Sequence, residues 1–216
     1  MVLINHLFNV SLSFIYKCIY YINNKSKVVI IMGLNEVKYE YFDNGNIKSE
    51  YWYNSYRRLN RKDGPAVVYY SENGNILSEQ WYKDGNYYRE DGPAVVYYYT
   101  NGNKRNECWL INDEYHRENG PAKIFYRKDG SKECEFWFKY NKLHREDGPS
   151  SIFYTENGDF EKLFWFQNDK EHRIDGPAVI EYNESHNIIY ENYYLNGEKI
   201  NDEFKIAVLK GLSQQN

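Results

Sequence analysis

Short stretches in which every second residue is apolar recur along most of the chain, and turn residues separate them. In one such stretch, Ala94, Val96 and Tyr98 fall on one side of a predicted strand, and Asn101-Gly102 follows. A period of two is typical of a strand with one buried face. Asn-Gly supplies the positive φ values of a tight hairpin turn. The pattern therefore predicts antiparallel strands joined by short turns.

The same pattern recurs every 28 residues, and two rare residue types mark it. Every proline of the chain belongs to a Gly-Pro pair at this period: Gly64-Pro65, Gly92-Pro93, Gly120-Pro121, Gly148-Pro149 and Gly176-Pro177. The tryptophans are spaced 29, 28, 28 and 28 residues apart: Trp52, Trp81, Trp109, Trp137 and Trp165. Two residue types in register at one period identify an internal repeat.

The repeat predicts an all-β fold, an antiparallel β-meander or hairpin solenoid of 28-residue units with short helical caps at its ends. Aromatic residues make up 19% of the chain, which favours half-buried strands. We expect an apolar N-terminal segment over 1–36, a β-repeat array over 37–200, and a capping helix and tail over 201–216. Asn201 or Asp202 is the predicted N-cap of that helix, and Gly211 is its predicted end.

The N-terminal segment allows three interpretations. A capping helix is indicated by apolar residues at helical spacing, namely Phe8, Leu12, Ile15, Ile19 and Ile22. A membrane or signal-anchor segment is the second, although Lys17 interrupts it and no basic region precedes it. The third is that translation begins at Met32, just before the first recognisable repeat strand, and not at Met1.

Comparison of the repeats separates two faces of the predicted sheet. The positions of Ala94, Val96 and Tyr98 stay apolar in nearly every repeat, so they are predicted to face the core. The opposite face also accepts Lys123 and Ser151, so it is predicted to see solvent. Its apolar and aromatic residues form a candidate partner-binding face: Val67, Tyr69, Val95, Tyr97, Phe125 and Phe153.

An arginine recurs three residues before the glycine of each Gly-Pro pair. It indicates either a basic stripe for phosphate or a structural clasp with the neighbouring acid, with the guanidinium stacked on the repeat tryptophan. Because acids match the arginines nearly one for one, the structural interpretation is favoured. A glutamate that recurs two residues before most of the tryptophans is a second candidate partner of the arginine. The positions assigned to the repeat framework are Arg61, Gly64, Pro65, Trp81, Arg89, Gly92, Pro93, Trp109, Arg117, Trp137, Arg145, Trp165 and Arg173.

Candidate chemistry is sparse. His116, His144 and His172 recur at one repeat position, so they lie too far apart to converge on a metal. Three cysteines without a CxxC pair suit a reducing compartment. The net charge of −4 leaves no electrostatic footprint for nucleic acid. We predict no catalytic, cofactor-binding or metal-binding residue.

The repeat unit contains His-Arg-Glu-Asp-Gly-Pro, then Tyr, Glu-Asn-Gly and Trp-Tyr, and residues 143–158 show most of it. This unit resembles the variant MORN (membrane occupation and recognition nexus) repeat, and is similar to arrays in proteins of giant DNA viruses of amoebae. The resemblance covers about 37–200 and implies a β-hairpin solenoid or rolled sheet. Family members mostly act as scaffolds, and some were proposed to bind phospholipid head groups. This unit is longer than the usual one and its tryptophan is shifted, so lipid binding is not carried over.

These observations predict a non-catalytic repeat scaffold that mediates protein–protein interaction. The alternative is a module that binds glycans or phospholipid head groups through the exposed aromatic face. We expect a protein partner and no nucleic acid, with membrane contact only through residues 1–31 or through lipid head groups. The expected location is the cytoplasm, which would be that of the host if the chain is viral.

Overall fold

The computed structural model describes residues 20–23, 27–32 and 35–213. Within them the chain forms 24 strands and one helix, in the following order. They are β1 (Tyr20–Asn23), β2 (Lys27–Met32), β3 (Asn35–Tyr41), β4 (Ile47–Tyr53), β5 (Val67–Tyr70), β6 (Ile76–Gln80), β7 (Tyr82–Lys83), β8 (Asn86–Tyr87), β9 (Val95–Tyr98), β10 (Lys104–Cys108), β11 (Leu110–Ile111), β12 (Glu114–Tyr115), β13 (Lys123–Tyr126), β14 (Lys132–Phe136), β15 (Phe138–Lys139), β16 (Lys142–Leu143), β17 (Ser151–Tyr154), β18 (Phe160–Phe164), β19 (Phe166–Gln167), β20 (Lys170–Glu171), β21 (Val179–Tyr182), β22 (Ile188–Asn192), β23 (Tyr194–Leu195), β24 (Glu198–Lys199) and α1 (Glu203–Ser213).

Fourteen of the strands form one antiparallel sheet in hairpin order. The order is β1-β2-β3-β4-β5-β6-β9-β10-β13-β14-β17-β18-β21-β22, so β1 and β22 are its two edges. The five remaining pairs are separate short hairpins. Four of them, from β7–β8 to β19–β20, connect one repeat to the next, and β23–β24 leads from the last repeat to α1. From β5 onward the first strand of each repeat begins 28 residues after the previous one, at residues 67, 95, 123, 151 and 179. The predicted all-β antiparallel meander is confirmed, and the sheet is open.

Two kinds of turn set the hairpins. At the Asn-Gly turn Gly102 has a φ of 88°, and its N–H donates to the Tyr99 carbonyl at 2.9 Å. At the short connecting hairpins, Asn112 and Asp113 take positive φ values of 51° and 68°. Asn and Asp tolerate this left-handed conformation better than other side chains. The local sequence therefore suffices to place both turns.

Both faces of the sheet contain buried positions. Val96 and Ala94 are buried on one face, as predicted. Val67, only 2% exposed, and Val95 are also buried, so their predicted exposure to solvent is wrong. The reason is that Tyr87 and Tyr115 of the connecting hairpins pack against a cluster that includes Val95 and its cross-strand neighbour Cys108. The hairpins therefore cover the middle of a face that sequence alternation assigns to solvent.

The sheet begins before the predicted boundary at residue 37. Lys27–Met32 pairs in register with Asn35–Glu40, and Tyr20–Asn23 pairs with Lys27–Ile30. Ile22, the last residue of the predicted N-terminal helix, therefore lies in a strand; the β-branched run in β2 favours this pairing. The rest of that helix, and the membrane-segment interpretation, fall on residues outside the described part.

The C-terminal helix exists, and Asp202 is its N-cap. The Lys205 N–H donates to Asp202 Oδ1 at 3.0 Å. The helix continues through Gly211 to Ser213, because a single glycine weakens a helix without ending it. Ala207 and Val208 are exposed, so the predicted packing of the helix over the last strands is not seen at these side chains. Within the described ranges, no helix has the length and apolar character needed to cross a membrane.

Candidate functional site

Each of the five repeated arginines stacks on the tryptophan that precedes it in the chain, which belongs to the preceding repeat. The distances from guanidinium carbon to ring centroid are 4.0 Å for Arg61–Trp52, 4.0 Å for Arg89–Trp81, 3.9 Å for Arg117–Trp109, 3.7 Å for Arg145–Trp137 and 4.0 Å for Arg173–Trp165. A cation over the face of an aromatic ring is attracted by the ring quadrupole. This arrangement recurs unchanged along the array, so it belongs to the framework of the repeat.

The Gly-Pro pair closes the other side of each arginine. In the fourth of these clasps, Arg145 Nη1 donates to the Pro149 carbonyl at 3.2 Å, and Nε donates to Asp147 at 2.7 Å. A Cβ on Gly148 would lie 2.8 Å from the guanidinium carbon, so only glycine leaves the necessary space. The hydrogen bond from Arg145 also holds the pKa of Asp147 below its usual value. The arginines are thus engaged by the preceding tryptophan and by their own loop, which does not favour a stripe for phosphate.

The repeated glutamates bond mainly to tyrosines of the next repeat. Tyr98 donates to Glu79 at 2.5 Å, and Tyr126 donates to Glu107 at 2.7 Å. Burial and the nearby Glu135 carboxylate raise the pKa of Tyr154 to about 12. These bonds tie neighbouring repeats together on the same face as the arginine clasps. The predicted pairing of these glutamates with arginine is seen at Arg61 and Glu50, at the longer distance of 3.8 Å.

The opposite side of the sheet carries a row of aromatic side chains, which we call the aromatic face. It contains Tyr69, Tyr97, Phe125 and Phe153 from successive first strands, together with Tyr51, Phe136 and Phe164 from second strands. Tyr69 is 36% exposed and the others are half-buried. The four first-strand residues belong to the predicted partner-binding face, and the structure places them in one row, without Val67 and Val95.

The register of the sheet explains why these rings reach solvent. On the neighbouring second strands, Ser78 lies opposite Tyr97, Asn106 opposite Phe125, and Cys134 opposite Phe153. Directly opposite residues share a face, so each large ring has a smaller residue beside it in the row. The smaller residues are buried under the rings, and the rings form the outer surface.

The rings also contact one another along the sheet. Phe136 makes edge-to-face contacts with Phe125 and Phe153, with centroids 6.2 and 5.7 Å apart. Phe153 contacts Phe164 at 5.9 Å. At the N-terminal end Tyr51 and Tyr69 make the equivalent contact at 6.0 Å. The row is therefore phenolic near the N-terminus and purely hydrocarbon near the C-terminus.

Sequence reasoning missed the second-strand contribution to this face. Tyr51, Phe136 and Phe164 each immediately precede a repeat tryptophan, so in a strand they point to the side opposite that tryptophan. An aromatic residue at that position was the signal. It recurs in only some repeats, because Gln80 and Cys108 occupy the same position elsewhere.

One of the predicted framework histidines, His116, and the cysteines Cys108 and Cys134 are buried, as structural residues are. His116 is buried, stacks on Tyr140 with centroids 4.1 Å apart, and contacts Glu118 through Nε2 at 3.0 Å. Burial raises the pKa of the Cys108 thiol, and burial with the nearby Glu133 raises that of Cys134 to about 11. Among the residues for which the structure gives positions, no group of three or more His, Cys, Asp or Glu side chains could hold a metal ion.

Comparison with known proteins does not name a family. No protein-family model and no curated protein matches the chain.

Proposed function

We propose that this protein is a non-catalytic repeat scaffold that binds a protein partner on the aromatic face. The observation that carries the proposal is the row of half-exposed rings Tyr69, Tyr97, Phe125 and Phe153 on adjacent repeats. Aromatic side chains are enriched in the energetically dominant part of protein interfaces, because they bury a large area with few rotatable bonds. The similarity of the repeat unit to variant MORN repeats supports a scaffold role.

The rigidity of the other face supports the same proposal. The Arg–Trp clasps and the Tyr–Glu bonds fix each repeat against its neighbour. A partner that meets the aromatic face therefore meets preorganised rings, which lowers the entropy cost of binding. The thiols of Cys108 and Cys134 are buried and held protonated, so they do not supply a nucleophile.

The experiment compares two full-length variants in quantitative affinity capture from cells. In the first, Tyr69, Tyr97, Phe125 and Phe153 are changed to Ser. In the matched control, the exposed Tyr56 and Phe160, which lie off the aromatic face, are changed to Ser. We expect a specific protein partner to be lost from the first variant and kept by the control, with circular dichroism unchanged in both.

A photo-crosslinking amino acid covers the case in which the fourfold variant does not fold. Placed at Tyr69 it should crosslink to the same partner, and placed at Tyr56 it should not. Partner capture that is unchanged in a folded fourfold variant, or equal crosslinking from both positions, would show that the aromatic face is not the binding surface.

Glycan binding is a second candidate function, favoured by the phenolic end of the row. The hydroxyl oxygens of Tyr51 and Tyr69 lie 3.4 Å apart at the edges of two mutually perpendicular rings. Rings with adjacent hydroxyls offer a sugar both a stacking surface and hydrogen bonds. Titration with glycans should then quench Tyr or Trp fluorescence, and changing Tyr51 and Tyr69 to Phe should weaken that quenching. Phospholipid head groups have less support, because the arginines are engaged in the clasps.

A further inference from the structure

The first-strand rings of the aromatic face recur at a fixed interval across the sheet. Tyr97, Phe125 and Phe153 lie in β9, β13 and β17, and a single second strand separates each of these strands from the next. Neighbouring strands are about 4.7–4.9 Å apart, so two strand steps separate successive ring positions by about 9.4–9.8 Å. A partner that uses several of these rings must therefore present side chains at the same interval.

This interval matches one regular peptide conformation better than the others. A polyproline II segment has three residues per turn and a rise of about 3.1 Å, so every third residue returns to the same face after about 9.3 Å. A β-strand returns to the same face after two residues, at about 6.6–6.8 Å. An α-helix does so after seven residues, at about 10.5 Å, which is about 1 Å too long for each ring. The spacing of the rings therefore favours a polyproline II segment that crosses the strands.

The rings also suit proline chemically. Proline-rich segments dock on surfaces lined with aromatic side chains, and their conformation is formed before binding, so little entropy is lost. The half-buried rings of Phe125 and Phe153 are both held by edge-to-face contacts with Phe136, at 6.2 and 5.7 Å between centroids. The protein surface is thus as preorganised as the segment that it would bind.

A lysine lies beside this row of rings, at a position where three of the other four repeats carry valine. It is Lys123, the counterpart of the buried Val95, and it lies two residues before Phe125 on the same side of β13. Lys123 is half-buried, and its ammonium nitrogen lies 5.0 Å from the centroid of the Phe125 ring and 5.3 Å from that of Tyr115. A cation has therefore replaced a core side chain within the aromatic face.

No acid of the described part of the chain forms an ion pair with Lys123. Two other lysines on this side of the sheet are paired, Lys38 with Glu40 at 2.9 Å and Lys162 with Glu181 at 3.5 Å. A half-buried charge without an opposite charge beside it costs desolvation free energy. A carboxylate supplied by a partner would offset that cost, so charge complementarity points to an acidic residue in the bound segment.

We infer that the aromatic face binds a proline-rich segment in the polyproline II conformation that carries an acidic residue. Every third residue of the segment packs against Tyr97, Phe125 and Phe153, and the carboxylate pairs with Lys123. The three-fold symmetry of polyproline II permits both contacts, because the residue that follows a ring contact projects to the side of the row of rings, where Lys123 lies. Because this assignment rests on the proposed scaffold function, the experiment has to separate the two.

Fluorescence anisotropy of labelled synthetic peptides with the full chain tests the conformation and the charge of the segment. The first peptide has eight prolines around a central glutamate, and the second has lysine in place of that glutamate. The third keeps the glutamate but has glycine and serine in place of the prolines, so it is flexible. We expect the first peptide to bind at least about threefold more tightly than either of the other two.

Variants of Lys123 assign the charge preference to one side chain. Lys123→Val introduces the residue that other repeats carry at this position, so its unfolding temperature should not fall, and it should bind the glutamate and lysine peptides of proline equally. Lys123→Glu should reverse the preference. The control is Lys128→Val, at an exposed turn position, which should keep the wild-type preference. Phe125→Ser should weaken the binding of both proline peptides.

Absence of peptide binding, equal binding of the first peptide and either of the others, or an unchanged preference in Lys123→Val would overturn the inference. Affinity capture from cells separates this failure from failure of the scaffold function. A partner that is lost from the fourfold ring variant, but is not displaced by the first peptide, would support the scaffold and exclude this class of segment. Capture that is unaffected by the loss of the four rings would overturn both.

Discussion

The guanidinium carbon of Arg145 lies 3.7 Å from the centroid of the Trp137 ring, on the side of the ring that faces Gly148 and Pro149. The cation is therefore held between an aromatic surface and a backbone turn. The same arrangement recurs in all five clasps, and it joins the loop that enters each first strand to the second strand of the preceding repeat.

Replacing Arg145 with Lys should destabilise the array. Lysine keeps the charge, but its ammonium group is not planar and cannot stack flat on the Trp137 ring. It also cannot donate to Asp147 and to the Pro149 carbonyl at the same time in the geometry of the guanidinium. We expect the free energy of unfolding in urea to fall by about 1–2 kcal/mol. The control is Lys139→Ala, at an exposed position in a connecting hairpin, which should change it little. An equal effect of both substitutions would contradict the clasp.

Gly148→Ala should act through Arg145. The added methyl group would displace the guanidinium, because the flexible side chain moves more readily than the backbone. We therefore expect Gly148→Ala to cost nearly as much as Arg145→Ala, and the double variant to cost little more than either. A double-mutant cycle in urea measures this coupling. Additive effects would show that the glycine is required for another reason.

The tyrosine–glutamate bonds should make stability fall at alkaline pH. The pKa of both Tyr70 and Tyr154 is raised to about 12 by burial and by a nearby carboxylate, whereas an unfolded tyrosine titrates near 10. Because folding raises the pKa of these tyrosines, the protonated side chains stabilise the folded protein fully at pH values below about 10. This stabilisation is lost as the pH rises from about 10 to about 12. The midpoint of urea unfolding should decrease over this window. Tyr154→Phe should flatten the decrease, and Tyr56→Phe should not.

The buried thiols should react slowly in the folded protein. A pKa of about 11 for Cys134 lowers its thiolate fraction at pH 8 by about 100-fold relative to an ordinary model thiol with a pKa near 9. In a Cys18→Ser background, native alkylation of Cys134 should be slower than in urea by at least that factor. Native alkylation of Cys108, whose pKa burial also raises, should be slower than in urea as well. Peptide mapping by mass spectrometry gives the two rates separately. Fast labelling of either cysteine in the native state would contradict its burial.

The connecting hairpins should contribute to the coupling of repeats. Leu143 N–H donates to Asp169 Oδ1 at 2.7 Å, across the boundary between two repeats. In Asp169→Gly, glycine adopts the φ of 64° without strain, but the carboxylate that accepts from Leu143 is lost. We therefore expect the free energy of unfolding to fall by about 1 kcal/mol. Asp169→Asn keeps both the acceptor and the tolerated conformation. It should therefore unfold at nearly the wild-type urea concentration, and a large loss in this variant would contradict the account.

The sequence by itself determined the local features that recur in every repeat. The 28-residue period, the Asn-Gly turns and the alternation in Ala94–Tyr98 depend on residues close together in the chain, so pattern and turn chemistry suffice to predict them. The stacking of Arg145 on Trp137 could also be predicted from the sequence, because the arginine and the tryptophan recur at a fixed spacing. The N-cap at Asp202 follows from the same kind of local chemistry.

Only the tertiary structure decided which positions are covered and which edge stays open. Val67 and Val95 alternate like surface residues but are buried, and at Val95 the cause is the packing of Tyr87 and Tyr115 from the connecting hairpins. Ile22 fits a helical spacing but pairs as a strand, since a neighbouring strand supplies its hydrogen-bond partners. The exposure of Ile189 likewise depends on what packs beside β22. Burial and edge pairing are properties of neighbours that are distant in the chain, and no local pattern contains them.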